Sequence, residues 1–299
     1  MAGIDLFERA KDGIPISNRD LKFLNLNDLS LDGAVFKYCQ FDYSSFENVN
    51  FEKVTFQNCT LNYCNFKGCG LYETKLLSCS VKDSFFQGGH LGKSQVIDSN
   101  LLRSLFDTAD LHKTIFTKVR AHLASFAYSN LQDSMISHST FLLCDFTGCD
   151  GANLKAERVD FSGSCFMGAR MDRSQLGHSN LSFCDLSGAS LRGSRCSGIN
   201  WFSSNLQNAR FTKANLEKGR FMRVSAPNAV INGVNLKEAS LIDANFSNCN
   251  FEKSFMLGCV EKNTVFEGAN LHKARREEAK EQPPLSEEES AKKASSEGQ

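Results

Sequence analysis

Residues 34–56, AVFKYCQFDYSSFENVNFEKVTF, place a Phe at every fifth position: Phe36, Phe41, Phe46, Phe51 and Phe56. Extended both ways, the frame runs unbroken from Leu21 to Leu271. It has 51 positions, of which 19 are Phe and 19 are Leu, and most of the other 13 are Val, Ile, Met, Trp, Cys or Ala. A period of five matches neither the 3.6-residue helix nor the two-residue strand. Two residues before each central position runs a second, equally selective column of small residues. It begins Ala34, Cys39, Ser44, Val49 and Val54, and ends Cys259, Thr264, Ala269 and Ala274. The other three residues of each pentad are polar, rich in Asn, Asp, Ser, Lys and Gly, as solvent-facing backbone with frequent turns requires. Such a repeat describes a solenoid, in which a large residue fills the centre and a small one tucks in at the corner. Backbone groups then pair with the coils above and below at a strand-like spacing of about 4.8 Å.

Ala109-Asp110-Leu111, Ala214-Asn215-Leu216-Glu217-Lys218, Ala244-Asn245-Phe246-Ser247-Asn248 and Ala269-Asn270-Leu271 resemble the A(D/N)LXX motif of the pentapeptide-repeat family. That resemblance implies an all-β fold, a right-handed quadrilateral parallel β-helix with one pentad per side and 20 residues per coil. Four pentads per coil give about 13 coils and a rod of about 60 Å. Stepping by 20 separates the faces, and the column Leu26, Phe46, Phe66, Phe86, Phe106, Phe126, Phe146, Phe166 predicts a stacked aromatic spine.

A solenoid also needs capped ends. The expected organisation is an N-terminal cap over 1–18, the β-helix over 19–275 and a charged helix with a disordered tail over 276–299. Ile4 to Lys11 reads as a short amphipathic capping helix ending at Gly13. His272 to Gln282 reads as a charged helical stretch stopped by Pro283-Pro284, and the Ser/Glu/Lys-rich remainder reads as disordered.

Three places break the pattern. Gly151-Ala152-Asn153-Leu154 reads as a shifted consensus, which predicts a bulge restored by Phe161. Pro227 removes a backbone donor from the ladder. Glu261 puts a charge at a central position, which predicts a local slip that turns Val260 inward.

Lys+Arg and Asp+Glu both number 34, so no net field draws the molecule to nucleic acid or an anionic membrane, and direct nucleic-acid binding is not expected. No run of about 18 apolar residues predicts a membrane span. The opening MAGIDLFERAKDGIPIS has no apolar stretch of the signal-peptide kind, so the expected location is cytoplasmic, or translocated if the protein is an effector. Ten of the 12 cysteines (Cys39, Cys59, Cys64, Cys69, Cys79, Cys144, Cys149, Cys184, Cys249, Cys259) fall in the small column, Cys196 is central and Cys165 faces outward. In-register residues about 4.8 Å apart point in parallel, poorly placed for a disulfide or a tetrahedral metal site. The six histidines show no metal spacing, and no phosphate loop, nucleophile elbow or carboxylate pair is present. No enzyme activity, cofactor or metal is expected.

One surface feature stands out. From Arg170 to Arg223 there are nine basic residues (Arg170, Arg173, Arg192, Arg195, Arg210, Lys213, Lys218, Arg220, Arg223) against three acids (Asp172, Asp185, Glu217). Arg170, Arg173, Arg192, Arg195, Arg210 and Lys213 form the candidate interaction patch, centred on the face of Met171, Leu191 and Phe211, suited to an acidic protein surface or phosphate groups. The expected function is a non-enzymatic scaffold for a protein partner. The opening, a short helix, Gly13, then Asp20-Leu21 and Leu31-Asp32-Gly33-Ala34, is similar to pentapeptide proteins that accompany bacterial secretion systems as accessory proteins or effectors. The alternative is a DNA-mimicking topoisomerase protector of the quinolone-resistance type. Residues 21–271 carry 25 basic and 23 acidic side chains, whereas a phosphate mimic should be strongly acidic.

Overall fold

The computed structural model describes Phe7 and residues 14–276. Every paired residue meets the residue twenty further on, in parallel, from Ile16↔Phe36 to Phe255↔Arg275. A twenty-residue offset with a bridge at every fifth residue is a four-sided coil, so the chain is an all-β parallel solenoid. Central residues as far as Met256 donate their N–H to the coil above, as Leu21 does to the Gln40 carbonyl at 2.7 Å and Phe106 to Ser125 at 2.7 Å. The residue before the next centre donates to the coil below, as Ser45 does to Leu24 at 2.8 Å. Every apolar central side chain from Leu31 to Met256 is at most 3 % exposed.

The turn at each corner explains the polar positions. Two residues after each centre the backbone takes the left-handed conformation, with φ between 50° and 71°. Glycine fills some of these corners and Asn, Asp, Lys, Tyr and others fill the rest, where the left-handed cost of about 1–2 kcal/mol per residue is offset by ladder bonds on both sides of the turn.

Two kinds of side coexist. One face carries β1 (Ile16–Ser17), β3 (Val35–Lys37), β5 (Thr55–Gln57), β6 (Lys75–Leu77), β7 (Gln95–Ile97), β8 (Ile115–Thr117) and β9 (Met135–Ser137) in one sheet, while β2 (Asn25–Asn27) pairs with β4 (Ser45–Glu47). Against the expected count of about 13 coils, regular strands are confined to the first part of the chain. The continuous strand ladder spans six coil steps, and past Ser137 single-residue bridges join the coils. Val35, Thr55, Ile97, Ile115 and Thr117 flank the centres of the strand face, and β-branched residues favour extended backbone. Beyond it the same columns hold Lys155, Glu157, Gln175, Gly177, Arg195 and Ser197, and the side tightens into a turn.

The aromatic spine is present. Successive rings from Phe46 to Phe166 lie 4.7 to 5.1 Å apart, and from Phe66 onward their planes agree within 8°. Ser, Thr and Cys in the small column do more than fill a corner, because each typically donates to the carbonyl 23 residues earlier. Ser84 reaches Leu61 at 2.6 Å, Thr74 reaches Phe51 at 2.8 Å and Cys64 reaches Phe41 at 3.0 Å.

The three expected distortions are corrected. Gly151 to Ala156 has no bulge: bridges run through Asp150 and Lys155 in register, and Leu154 is buried in the small column. The large and small residues change columns, Leu154 standing in the small column and Gly151 in the central one, and the Met171 sulfur lies 2.5 Å from where a Gly151 Cβ would stand. Pro227 removes no ladder donor. In pentads of this turn type the N–H of the residue after the centre bonds no backbone of a neighbouring coil; where that N–H is held, a side chain does it, as the Asn50 carboxamide holds Glu52 at 2.9 Å and Asp172 of the coil below holds Arg192 at 3.0 Å. Proline's φ suits that first turn position, and its carbonyl still accepts from Asn208 at 3.1 Å. At Glu261 there is no slip: Val260 is 51 % exposed, while the central carboxylate is bonded by Arg276, whose guanidinium covers the Phe266 ring at 5.3 Å.

At the ends, Phe7 is buried and meets Phe36 edge-on at 6.4 Å; the rest of the expected helix Ile4 to Lys11 lies outside the described residues. The helix expected from His272 does not begin there. Residues 272–276 continue the coil, with Arg275 bridged to Phe255, because Ala274 still supplies the small corner residue. Residues 277–299, including the tail, lie outside the described residues.

Candidate interaction surface

Since the interior is filled, recognition chemistry falls to outward residues, and the corners project farthest. One corner column reads Phe23, Tyr43, Tyr63, Asp83, Arg103, Leu123, Leu143, Gly163, Phe183. The rings of Phe23, Tyr43 and Tyr63 stack at 5.4 and 4.8 Å, nearly parallel. Arg103 then grips Asp83 through two bonds of 2.6 and 2.9 Å, which hold the Asp83 carboxyl below its usual range. Sequence reasoning missed this ridge. Stepping by twenty through the outward columns would have found it, since Phe23, Tyr43 and Tyr63 are in register.

The six residues of the basic patch fall on two adjoining sides of the coil. Arg170 and Arg210 share a bridging column with Ser190 between them, Arg173 and Lys213 share a corner column with Gly193 between them, and Arg192 lies on the side that joins those columns. Arg195 sits around the corner on the next side. Their charges are unequally committed. Arg170 forks onto Asp150 at 3.0 and 2.5 Å. Burial would raise the Asp150 carboxyl, but bonds from Arg170 and Gln132 outweigh it and lower it. Arg192 bonds Asp172 at 3.2 Å. Burial opposes ionisation there too, and bonds from Ser190 and from the Arg192 side chain and amide overcome it. The Arg173 Nε donates to the neutral Asn153 Oδ1 at 3.1 Å. Among the described residues Arg195, Arg210 and Lys213 make no ion pair.

Gly193 organises the remainder. Lacking a side chain at a corner between Arg173 and Lys213, it leaves a notch, and two surface depressions meet there. One, of about 450 Å³, is floored by Gly177, Gly193 and Ser197 and rimmed by Glu157, Arg195 and Lys213. The other, of about 370 Å³, lies between Arg173, Arg192 and Lys213 over Thr212. The structure thus brings Arg173, Arg192, Arg195 and Lys213 around one groove and leaves Arg170 and Arg210 beside it.

Most of the cysteines take structural positions, while the Cys39 thiol is lowered from its usual range, chiefly by its hydrogen bond with Cys59. Burial pushes the Cys64, Cys144, Cys184 and Cys196 thiols up to about 12 and Cys69 and Cys79 to about 11. Most donate to carbonyls, as Cys184 does to Phe161 at 3.1 Å and Cys249 to Ala226 at 2.8 Å. Among the described residues no group of three or more His, Cys, Asp or Glu side chains is arranged to hold a metal ion, and no helix is long and apolar enough to cross a membrane.

A four-sided parallel solenoid with a packed interior and its unpaired charges on the outer surface is a repeat protein that offers surfaces rather than an enclosed pocket. Family models agree: one described as a pentapeptide repeat region matches residues 39–111, and one described as pentapeptide repeats (8 copies) matches residues 20–52, 169–200, 184–225, 204–241 and 220–258. The chain belongs to the pentapeptide-repeat family. No curated protein sequence matches it. Among solved structures it is similar to HetL, a pentapeptide repeat protein involved in heterocyst differentiation regulation from the cyanobacterium Nostoc sp. strain PCC 7120. The identity is 17% over 89% of this chain and 94% of that one, with a TM-score of 0.32. A trypsin-treated variant of QnrB1, a plasmid-mediated fluoroquinolone resistance protein, is 15% identical over 88% of this chain and 91% of its own, with a TM-score of 0.39. A pentapeptide repeat protein from the Arabidopsis thaliana thylakoid lumen is 25% identical over 38% of this chain and 63% of its own, with a TM-score of 0.16.

Proposed function

We propose that this protein is a non-enzymatic interaction scaffold that meets an acidic region of a protein partner at the basic groove around Gly193. The observation that carries this reading is the contrast between the packed interior and the surface. Core side chains are nearly all withdrawn from solvent, while Arg173, Arg195 and Lys213 converge on one groove without acid partners among the described residues. Uncommitted charge at a surface steers and orients a complementary partner. The resemblance of the opening to secretion-associated pentapeptide proteins supports a role as accessory protein or effector of a bacterial secretion system, and secretion components encoded by neighbouring genes would bear that setting out. The near balance of 25 basic and 23 acidic side chains over residues 21–271 speaks against a DNA mimic.

The test is affinity capture from the native cytosol with quantitative mass spectrometry, comparing the full chain with Arg195→Glu/Lys213→Glu. A specific partner captured by the first and lost by the second supports the reading. Equal capture by both removes the groove from it.

A further inference from the structure

We propose that the groove crossing the corner at Gly193 binds a phosphate monoester carried on a partner polypeptide, an inference that rests on the scaffold reading and names the chemistry of its ligand. Charge comes first. Around the groove Arg192 is committed to Asp172, and Asp172 is further held by the Ser190 hydroxyl at 2.5 Å and the Arg192 amide at 3.0 Å. What remains without an acid partner among the described residues is three cations, Arg173, whose Nε donates to the neutral Asn153 amide oxygen, Arg195 and Lys213, against one acid, Glu157. Three less one leaves an excess of two positive charges. A phosphate monoester carries about −1.5 to −2 near neutral pH, whereas one carboxylate would offset half the excess.

Shape comes second. Arg173 and Lys213 stand two coil rises apart, about 10 Å, and both line the depression at Gly193, where the Arg173 Cγ lies 3.7 Å from the place a Cβ would take. Arg173 lines one depression and Arg195 the other, on adjoining sides of the solenoid, and the planar guanidinium fork is a group that suits phosphate oxygens. Gly177, Gly193 and Ser197 keep the floor low, which lets the anion sit against backbone.

The groove is open along its length, and a free metabolite would leave much of its surface in water, unlike ligands of enclosed sites. A phosphate on an extended polypeptide gains added contact across the corner, with the chain lying over both depressions. A nucleic acid would instead need a long basic track, and beyond this region the surface carries both signs in near balance.

The experiment titrates isotope-labelled full-length protein with three probes while following the amide signals of Gly177, Gly193 and Gly198. The probes are inorganic phosphate, a Gly-flanked phosphoserine pentapeptide, and the same peptide with Glu in place of phosphoserine. Expected are shifts at Gly177 and Gly193 with phosphate and phosphopeptide, and a midpoint for the phosphopeptide at least about tenfold below that of the Glu peptide. Arg195→Gln, and separately Gly193→Asn, should each raise the phosphopeptide midpoint about tenfold. Asn tolerates the left-handed backbone of Gly193, φ +64°, and fills the gap, so the second variant tests shape without removing charge. Unmoved glycine signals, an equal response to the Glu peptide, or variants that bind as the parent does would each overturn the inference. So would a short DNA duplex that moves the same signals at lower concentration than the phosphopeptide. Phosphatase treatment of a captured partner separates the two readings: capture that survives it but is lost in Arg195→Glu/Lys213→Glu overturns the phosphate and leaves the scaffold standing.

Discussion

Phe106 is the cleanest probe of what holds the coils in register. Its side chain is 1 % exposed, and its ring lies between Phe86 at 4.7 Å and 8° and Phe126 at 5.0 Å and 4°. Full burial of a Phe side chain is worth about 1.5–3 kcal/mol, and each aromatic pair adds about 0.5–1.5 kcal/mol beyond area. Those terms together match the about 3–5 kcal/mol that Phe→Ala costs in packed cores, so Phe106→Ala should destabilise by that amount. Phe106→Leu keeps most of the volume and loses both ring pairs, and should cost about 1–3 kcal/mol. A double-mutant cycle of Phe86→Leu and Phe106→Leu should return a coupling of about 0.5–1.5 kcal/mol for their shared stack. The assay is guanidinium unfolding followed by far-ultraviolet circular dichroism. Amide exchange at Phe106, whose N–H bonds the Ser125 carbonyl at 2.7 Å, serves as a local readout, since a repeat array can open in parts. If Phe106→Ala costs under about 1 kcal/mol, or if Phe106→Leu is as stable as the parent, stacking is not what the spine contributes.

Two further tests separate polar terms. Ser84 donates to Leu61 at 2.6 Å and accepts from the Cys64 amide at 3.1 Å, so Ser84→Ala strands buried groups and should cost about 1–3 kcal/mol. The Ser174 hydroxyl is buried with no partner, opposite the irregular Gly151, so Ser174→Ala should be neutral or stabilising by up to about 1 kcal/mol; thermal unfolding of the pair decides, and equal losses would contradict the carbonyl-bonding role. The carboxyls of Asp83, Asp150 and Asp172 are lowered from 3.8 in the folded chain. A group lowered on folding contributes stability fully present above its unfolded value of about 3.9, and that stability is lost as pH falls through the folded value. Unfolding free energy should therefore hold level above about pH 5 and decline below about pH 4, with a shallower decline in Asp150→Asn; an unchanged slope in that variant would dismiss the Arg170 pairing as a contributor.

The five-residue frame was legible because it is enforced at every step: a polar residue at a central position such as 106 would lie at the axis with no water and few partners. The spine followed from the same arithmetic, since Phe46 to Phe166 share one column and parallel coils leave their rings nowhere else to go. The irregular places were misread for a common reason. Gly151 with Leu154, Pro227, and Glu261 with Val260 look like breaks when each is compared with the consensus of its own column. The coil tolerates them because the columns are not independent: Met171 fills the space at Gly151, Pro227 occupies a turn position whose N–H the backbone ladder does not use while its carbonyl still accepts from Asn208, and Arg276 reaches back to Glu261. Each compensation comes from another pentad or another coil, beyond what one pentad of sequence displays.

The groove was only half legible, and the reason is physical. A count of basic residues between Arg170 and Arg223 picks out the region but weighs every cation alike, and it cannot see that Asp150 and Asp172 neutralise Arg170 and Arg192 from the coil below. Nor does a count register what is absent. Gly193 contributes nothing to charge, yet it lines both depressions. In a solenoid whose core is uniform, specificity has few places to reside except the corners, where φ is already left-handed and glycine is cheap. A corner that alternates cation, glycine, cation is therefore the kind of departure from uniformity that a partner can read. Substituting Gly193 should then change recognition while leaving the core columns untouched.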